Sequence, residues 1–258
     1  MTDALHPAAA QGFAREAATY ARGRPEYPAA ISAWLTKSLG IGPGSRVVDV
    51  GAGTGKFTRL LVAAGATVSA IEPVEAMRDE LAHRLPDVTV LGGTAQALPL
   101  PDACVDAIVC AQAFHWFATV EALAEFRRVL KPGGRLGLVW NVRDESVDWV
   151  TEITRIISPL EGDAPRFHTG KWRQPFASGL FTPPALTALL HTHTGSVEEV
   201  ILDRFMSVSF IAAAPEAARA QVHARLAHLA ATHPALAGRS AIAFPYRTEA
   251  YCCEPVRP

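Results

Sequence analysis

Short apolar runs and longer amphipathic stretches alternate between residues 46 and 140. The apolar runs end at polar turns or prolines, which is typical of buried strands, and the stretches between them have apolar residues at helical spacing. The predicted strands are 46–50, 67–71, 88–91, 105–110 and 135–140, and the predicted helices are 56–64, 74–85 and 119–130. This alternation predicts an α/β fold with a mostly parallel sheet.

The alternation breaks after residue 140. Residues 141–195 contain a predicted helix at 147–157, a stretch rich in proline, glycine and aromatic residues, and a short predicted helix at 184–190. Beyond them the pattern predicts a strand at 197–206, an amphipathic helix at 216–232 and a terminal strand at 240–253, which Pro245 interrupts. The irregular segment 141–195 is therefore predicted to be an inserted cap.

Composition narrows the possible partners. The chain has 258 residues, of which 49% are hydrophobic and 19% charged, and its formal net charge is -1. A near-neutral chain lacks the positive surplus that nonspecific binding to nucleic acid or anionic membranes needs. Its apolar windows are shorter than the roughly 20 residues of a spanning helix, and its first residues do not resemble a secretory signal. We therefore expect no nucleic-acid or membrane partner and a cytoplasmic location.

A glycine-rich turn follows the first predicted strand. Asp49 closes the strand, and Gly51, Gly53 and Gly55 follow it. In a doubly wound sheet this turn lies at the carboxyl edge, where ligands bind, and the next helix offers free N–H groups. Glu72 ends the second predicted strand, where an acid can accept hydrogen bonds from both hydroxyls of a ribose. The sequence therefore predicts a nucleoside ligand.

The spacing of the glycines bears on which nucleoside binds. A dinucleotide fingerprint is G-x-G-x-x-G, whereas this chain has G-x-G-x-G and carries Lys56 where the third glycine belongs. The spacing disfavours NAD. Glu72 alone still permits a nucleotide-dependent oxidoreductase of the NAD type, which stays open as an alternative.

Four segments together resemble class I S-adenosylmethionine-dependent methyltransferases. They are the loop at 49–55, Glu72, the segment 93–99 and the Leu-Lys-Pro-Gly-Gly turn at 130–134. The pattern around Phe13, Tyr20 and Arg24, together with the Ala-Gln-Ala-Phe-His-Trp-Phe segment at 111–117, resembles the small-molecule group that includes trans-aconitate methyltransferase-like proteins. The resemblance covers residues 10–140 most closely.

The resemblance implies a Rossmann-like seven-stranded sheet, flanked by helices, whose last strand is antiparallel. It also implies a division of the chain into three parts. Residues 1–140 would form the cofactor-binding core with N-terminal lid helices, 141–195 the substrate cap, and 196–258 the completion of the sheet.

The implied cofactor is S-adenosylmethionine, with S-adenosylhomocysteine as the product. Carried over by position, Gly51, Gly53 and Gly55 would line the methionine part together with Ala111 and Gln112, and Asp49 is a further cofactor-binding residue. Glu72 would bind the ribose, Thr94, Ala95 and Gln96 would flank the adenine, and Tyr20 and Arg24 would close over the cofactor.

Several residues are candidates for the acceptor side. His115 directly follows the fourth strand, and because histidine titrates near neutral pH it suits a general base. The alternative is that His115 caps a helix or holds a backbone carbonyl. Arg143 and Arg173 suggest an acidic acceptor, since a guanidinium matches a carboxylate; they could also be ordinary surface residues. Candidate aromatic lining residues are Phe13, Phe114, Trp116 and Trp172, of which Phe114 could instead belong to the core.

The predicted function is methyl transfer to an O, N or C atom of a small metabolite by in-line displacement. The chain lacks the strand-four motifs that accompany methylation of a base amine or of a pyrimidine carbon. No metal is expected, because His191 and His193 lack acids at ligand spacing. A protein that binds the cofactor without methyl transfer stays open, as does the choice between a monomer and a homodimer.

Overall fold

The computed structural model describes residues 25–256. Its seven strands form one sheet in the order β3-β2-β1-β4-β5-β7-β6, and β7, the last strand along the chain, runs antiparallel. The strands are β1 (Arg46–Val50), β2 (Thr67–Ile71), β3 (Thr89–Leu91), β4 (Val105–Ala111), β5 (Leu130–Arg143), β6 (Ala185–Gly195) and β7 (Ile242–Cys253). The predicted Rossmann-like fold is confirmed.

Helices connect and flank these strands. They are α1 (Ile31–Leu39), α2 (Thr58–Ala63), α3 (Glu75–Arg84), α4 (Val120–Val129), α5 (Asp148–Ile157), α6 (Arg204–Met206), α7 (Ser209–Ala212) and α8 (Glu216–Thr232). A π-helical segment, Glu198–Asp203, leads directly into α6, and short 3-10 segments lie at Phe114–Trp116, Ser158–Leu160, Phe167–Thr169 and Lys171–Ser178.

The parallel register brings the carboxyl ends of three central strands to the same edge. Val50 of β1 pairs with Ile71 of β2, and Asp49 pairs with Val109 of β4. The glycine loop after β1, Glu72 after β2 and the residues after β4 therefore leave the sheet on one side, which is where open α/β sheets bind ligands.

The chain divides into two compact units, which are described separately. Within the described residues, the glycine-loop unit comprises Tyr27–Asn141, Pro165–Leu189 and 248–256, and the second unit comprises 25–26, Val142–Ala164 and Leu190–Arg247. In the glycine-loop unit, α1 packs Ile31 and Leu35 into a core with Val47 and Val109 of the sheet. The three-part division expected from the sequence stays a prediction.

A core of its own fills the second unit. Ile153 of α5, Leu226 of α8 and Phe205 of α6 are buried together with Phe244 of β7. Phe244 contacts Phe205, with ring centroids 5.7 Å apart. These contacts place α6, α8 and the first half of β7 within one packed body.

Two predicted elements are of the wrong type, and two strands have other bounds than predicted: β5 begins at Leu130, within the predicted turn 130–134, and β7 runs through Pro245 without interruption. The helix expected at 184–190 is wrong, because these residues begin β6, an edge strand; Leu190 is 91% exposed. The strand expected at 197–206 is also wrong. Its β-branched residues lie on helical turns, where Val200, Ile201 and Phe205 are buried, and this tertiary packing overrides their strand propensity.

Candidate functional site

The glycine loop has a backbone that glycine alone adopts easily. Gly51, Gly53 and Gly55 have φ angles of 71°, 56° and 83°. A Cβ atom on Gly51 would lie 2.7 Å from the Cβ atom of Ala113, so a side chain does not fit there. The N–H group of Gly51 donates to the Ile71 carbonyl over 2.8 Å, which ties the loop to the end of β2.

Glu72 joins the two strand ends. Its Oε2 accepts a hydrogen bond from the Gly53 N–H group and its Oε1 accepts one from the Val74 N–H group, both over 2.9 Å. The residue is 6% exposed, and burial raises the pKa of its carboxyl, against which these two hydrogen bonds act. Arg78 holds the turn that follows β2 by donating hydrogen bonds to the carbonyls of Glu72 and Pro73.

Asp49 is fully buried at the start of the loop. The Thr58 hydroxyl donates to its Oδ2 over 2.7 Å, while its Oδ1 has no hydrogen-bond partner among residues 25–256. Burial raises the pKa of Asp49 to about 7, Thr58 opposes that shift, and the charge of Glu72 adds to it. The loop therefore contains an acceptor oxygen that a ligand or a proton can satisfy.

The segment predicted to flank adenine follows β3. Thr94 is exposed, Ala95 is buried and Gln96 is partly buried. The Ala97 N–H group donates to the Thr94 carbonyl over 3.2 Å and closes a turn. Thr94 and the backbone of Ala95 therefore follow β3, which pairs with β2, the strand that ends before Glu72.

The end of β4 is conformationally strained. Gln112 has a φ angle of 58°, which side-chain-bearing residues rarely adopt. Its N–H group donates to the Val139 carbonyl over 2.8 Å, so β5 holds this backbone in place. Strained residues that the surrounding structure holds in place are concentrated at functional sites. The position of Ala111 and Gln112 beside the cofactor stays a prediction.

His115 lies in the 3-10 segment after β4 and contacts β5. The indole nitrogen of Trp140 donates a hydrogen bond to its Nδ1 over 3.1 Å. An indole N–H group can only donate, so Nδ1 is the accepting nitrogen, and a neutral imidazole then carries its proton on Nε2. The predicted general base is thus held in one tautomer.

An aromatic cluster lies beside this histidine. Trp172 is buried, and its ring centroid is 4.7 Å from that of Trp140, 5.0 Å from that of Tyr251 and 6.5 Å from that of Phe114. Phe114 is fully buried and also contacts Phe126 of α4. Trp116 is partly exposed, with the guanidinium of Arg166 5.8 Å from its ring. Trp116 is thus the more accessible of the predicted lining residues in this cluster.

Arg173 stacks on the same cluster. Its guanidinium carbon lies 4.0 Å from the Trp172 ring centroid, and its Nη2 donates to the Tyr251 hydroxyl over 2.9 Å. That hydroxyl in turn donates to Glu249. Burial and the Glu249 carboxylate raise the pKa of Tyr251 to about 12, so the phenol stays protonated and serves to orient the arginine.

The structure does not bring all predicted residues together. Phe13, Tyr20 and Arg24 lie outside the described residues. Arg143 belongs to the second unit, whereas the other predicted residues within 25–256 belong to the glycine-loop unit. Their roles, and that of His115 as a base, stay predictions.

Three residues of the site were missed. Trp140 of β5 contacts His115, Tyr251 of β7 contacts Arg173, and Glu249 of β7 accepts a hydrogen bond from Tyr251. The position of Trp140 near the carboxyl end of a central strand was a usable signal. Nothing in the pattern of the terminal strand distinguishes Glu249 and Tyr251.

Residues 25–256 contain no group of three or more His, Cys, Asp or Glu side chains that could hold a metal ion. In the same part of the chain no helix is long and apolar enough to cross a membrane.

Comparison with known proteins gives consistent matches. A family model described as a methyltransferase domain matches residues 48–138. An uncharacterized methyltransferase-like protein of Schizosaccharomyces pombe is 39% identical over 244 residues, which is 94% of each chain. A solved structure from Anaeromyxobacter dehalogenans, provisionally named a type II methyltransferase, has a TM-score of 0.66 at 25% identity and covers 91% of this chain and 99% of that one.

A more distant structure shares the fold. Geranyl diphosphate C-methyltransferase from Streptomyces coelicolor, solved with Mg²⁺, geranyl diphosphate and S-adenosylhomocysteine, has a TM-score of 0.50 at 15% identity. The match covers 88% of this chain and 79% of that one.

Proposed function

This chain belongs to the class I methyltransferases, and we propose on that basis that it transfers the methyl group of S-adenosylmethionine to a small-molecule acceptor. The observation that carries the proposal is the hydrogen bond between the Gly53 N–H group and the Glu72 carboxylate. It joins the glycine loop, in which Gly51 has no room for a side chain, to an acid at the next strand end. A loop that suits an amino-acid group beside an acid that suits a ribose fits a nucleoside linked to an amino acid.

The residues present fit such a cofactor. Each Glu72 carboxylate oxygen accepts one backbone hydrogen bond and keeps capacity for a ribose hydroxyl. The unpartnered Oδ1 of Asp49 can accept a hydrogen bond on the methionine side of the loop. Thr94, Ala95 and Gln96 would flank the adenine, and Ala111 and Gln112 the methionine part. Geranyl diphosphate C-methyltransferase, which shares the fold, was solved with S-adenosylhomocysteine, and this supports S-adenosylmethionine as the cofactor.

The cofactor supplies an activated methyl group on its sulfonium. The protein has to align the acceptor with that methyl group, exclude water and, where the acceptor needs it, take up a proton. The cluster of Trp140, Trp172 and Phe114 is well suited to exclude water, because these three side chains are buried beside the end of β4. The partly exposed Trp116 would then contact the acceptor.

His115 has two possible roles at this position. Abstraction of a proton by Nε2 needs a lone pair there, and the hydrogen bond from Trp140 to Nδ1 places the proton of the neutral ring on Nε2 instead. This geometry favours a role in which Nε2–H donates to an oxygen of the acceptor. The general-base role predicted from the sequence requires the Trp140 hydrogen bond to break.

We propose an acceptor that is a metabolite with a carboxylate or hydroxyl group. The near-neutral net charge of -1 supports a small molecule over nucleic acid or a membrane. A cytoplasmic location is part of this proposal, and the choice between a monomer and a homodimer stays open.

Transfer of labelled methyl groups tests the proposal. The protein is incubated with methyl-labelled S-adenosylmethionine and, separately, with the low-molecular-weight and the macromolecular fractions of a cell extract. We expect labelled product and S-adenosylhomocysteine with the low-molecular-weight fraction only. Label in protein or nucleic acid would contradict the small-molecule acceptor. Cofactor binding with no transfer to either fraction would favour a binding protein without turnover.

A further inference from the structure

Two arginines of the second unit surround one phenylalanine ring. The guanidinium carbon of Arg143, at the end of β5, lies 5.7 Å from the Phe205 ring centroid, and that of Arg204 lies 5.3 Å from it. Both positive charges are therefore held against the same apolar surface.

These arginines have few hydrogen-bond acceptors. Arg204 is 8% exposed, and its Nε and Nη1 are buried without a partner among the described residues. Arg143 reaches the half-exposed Glu145 only at 3.5 Å, which is longer than a normal hydrogen bond. The buried hydroxyl of Tyr246 is also without a hydrogen-bond partner in this part of the chain.

The two charges repel each other. Burial lowers the pKa of Arg143, and the charge of Arg204 lowers it further, while Tyr246, Glu145 and Glu161 act in the opposite direction. Two nitrogens of Arg204 have no partner among the described residues, and Arg143 has only the 3.5 Å ion pair with Glu145, so a negative ligand would stabilise the charged forms of both arginines.

We propose that Arg143, Arg204 and Tyr246 form a binding site for an anionic group, a carboxylate or a phosphate. Guanidinium groups match the paired oxygens of such anions, and the tyrosine hydroxyl adds a neutral donor. The Arg143 side chain is 23% exposed, which leaves an approach for the ligand. Anion binding at this site does not depend on the proposed methyl transfer.

A purely structural role explains less of the geometry. Stacking on Phe205 gives each guanidinium a favourable contact with the ring face. It provides no oxygen for the N–H groups of Arg204 or for the hydroxyl of Tyr246. An anion supplies acceptors to both at once.

The test compares the wild type with Arg204→Met and with the control Arg155→Met. Arg155 lies on α5 in the same unit, and its side chain is 67% exposed. Each protein is titrated with sodium succinate and with sodium phosphate, against sodium chloride at equal ionic strength, by calorimetry and thermal unfolding. In the wild type and in Arg155→Met we expect at least one anion to bind and to raise Tm above the chloride value. In Arg204→Met we expect at least tenfold weaker binding and no rise.

The unliganded variant gives a second readout. Because Arg204→Met removes an uncompensated buried charge, its Tm in chloride should equal or exceed that of the wild type. If that variant does not fold, Tyr246→Phe replaces it, with several-fold weaker anion binding expected. A stronger response to succinate than to phosphate would identify a carboxylate ligand, and the reverse a phosphate ligand.

Two results would overturn the proposal: no binding of either anion by the wild type, or undiminished binding in a folded Arg204→Met or Tyr246→Phe. S-adenosylmethionine is titrated into the same samples. Binding of succinate without binding of S-adenosylmethionine would support the anion site and contradict the proposed function. Binding of S-adenosylmethionine without binding of either anion would support the proposed function and contradict the anion site.

Discussion

Trp140 donates its indole hydrogen to Nδ1 of His115 over 3.1 Å, across 25 residues of sequence. The contact joins a buried tryptophan of β5 to the segment that follows β4, next to the strained Gln112. Because the indole N–H group can only donate, Nδ1 of His115 must accept this hydrogen bond. The proton of the neutral imidazole is therefore on Nε2.

Replacement of Trp140 by Phe should allow the neutral imidazole of His115 to adopt both tautomers. In the wild type, nitrogen-15 NMR should show the neutral imidazole of His115 protonated on Nε2, and in Trp140→Phe a mixture of tautomers should appear. Trp34→Phe is the matched control, because its indole nitrogen is buried without a hydrogen-bond partner among residues 25–256. A wild-type His115 protonated on Nδ1 would show that the Trp140 hydrogen bond does not form.

Glu72→Gln should weaken cofactor binding. The change removes the negative charge and replaces one accepting oxygen by an NH₂ group opposite a backbone N–H donor. Hydrogen bonds to charged groups contribute about 1.5–3 kcal/mol, so the Kd for S-adenosylmethionine should rise roughly 10- to 100-fold. The exposed neighbour Glu75→Gln is the control in the same calorimetric titration. Equal affinities for both variants would remove Glu72 from the cofactor site.

Much of the fold follows from hydrophobic periodicity. The strands at 46–50 and 67–71 and the helix at 216–232 occur within the predicted bounds, because each has one buried face or a fully buried run. The edge strand β6 could not be predicted in this way. Its residues alternate between exposed and half-exposed, so no apolar period of two marks it as a strand.

The first glycine of the loop can be tested for its steric role. Gly51→Ala should destabilise the protein by more than Gly40→Ala, although both glycines have a φ near 70°. A Cβ atom at residue 40 meets nothing within 4 Å, so only the left-handed backbone costs free energy there, about 1–2 kcal/mol.

At residue 51 the clash with Ala113 adds to that cost, by roughly 1–3 kcal/mol as in overpacked cores. Urea unfolding gives both values. Equal losses in the two variants would mean that the loop relaxes around the added methyl group.

Asp49 should make stability fall as pH rises. Burial raises its pKa to about 7 in the folded protein, against roughly 3.9 in an unfolded chain. Between these values the folded state keeps a proton that the unfolded state has released. The free energy of unfolding therefore declines from about pH 4 to pH 7, by up to roughly 4 kcal/mol from this group, and levels off above pH 7.

Asp49→Asn should remove much of that decline, since its amide does not titrate. Glu72, whose pKa burial also raises, should leave a remainder with the same sign. Urea unfolding at pH 5 and pH 8 measures the difference, with the exposed Asp79→Asn as control. An unchanged pH dependence in Asp49→Asn would show that Asp49 ionises normally.

The candidate site is predictable to the extent that it is local in sequence. Asp49, the three glycines and Glu72 are each marked by a strand end and a turn. The partners of His115 and Arg173 are not marked in this way. Arg173 donates a hydrogen bond to Tyr251, which is 78 residues away, and no local sequence pattern encodes such a contact. Arg204 was missed for a related reason, since the segment around it was predicted to be a strand.

Thermal unfolding in the presence of cofactors identifies the ligand of the glycine loop. Tm is measured with S-adenosylmethionine, S-adenosylhomocysteine and NADH, each at about a hundred times a plausible Kd, where a ligand of the native state adds roughly 2.7 kcal/mol. We predict stabilisation by the first two, a loss of that effect in Gly51→Ala, and none with NADH. Stabilisation by NADH alone, or by none of the three, would show that the glycine loop does not bind S-adenosylmethionine.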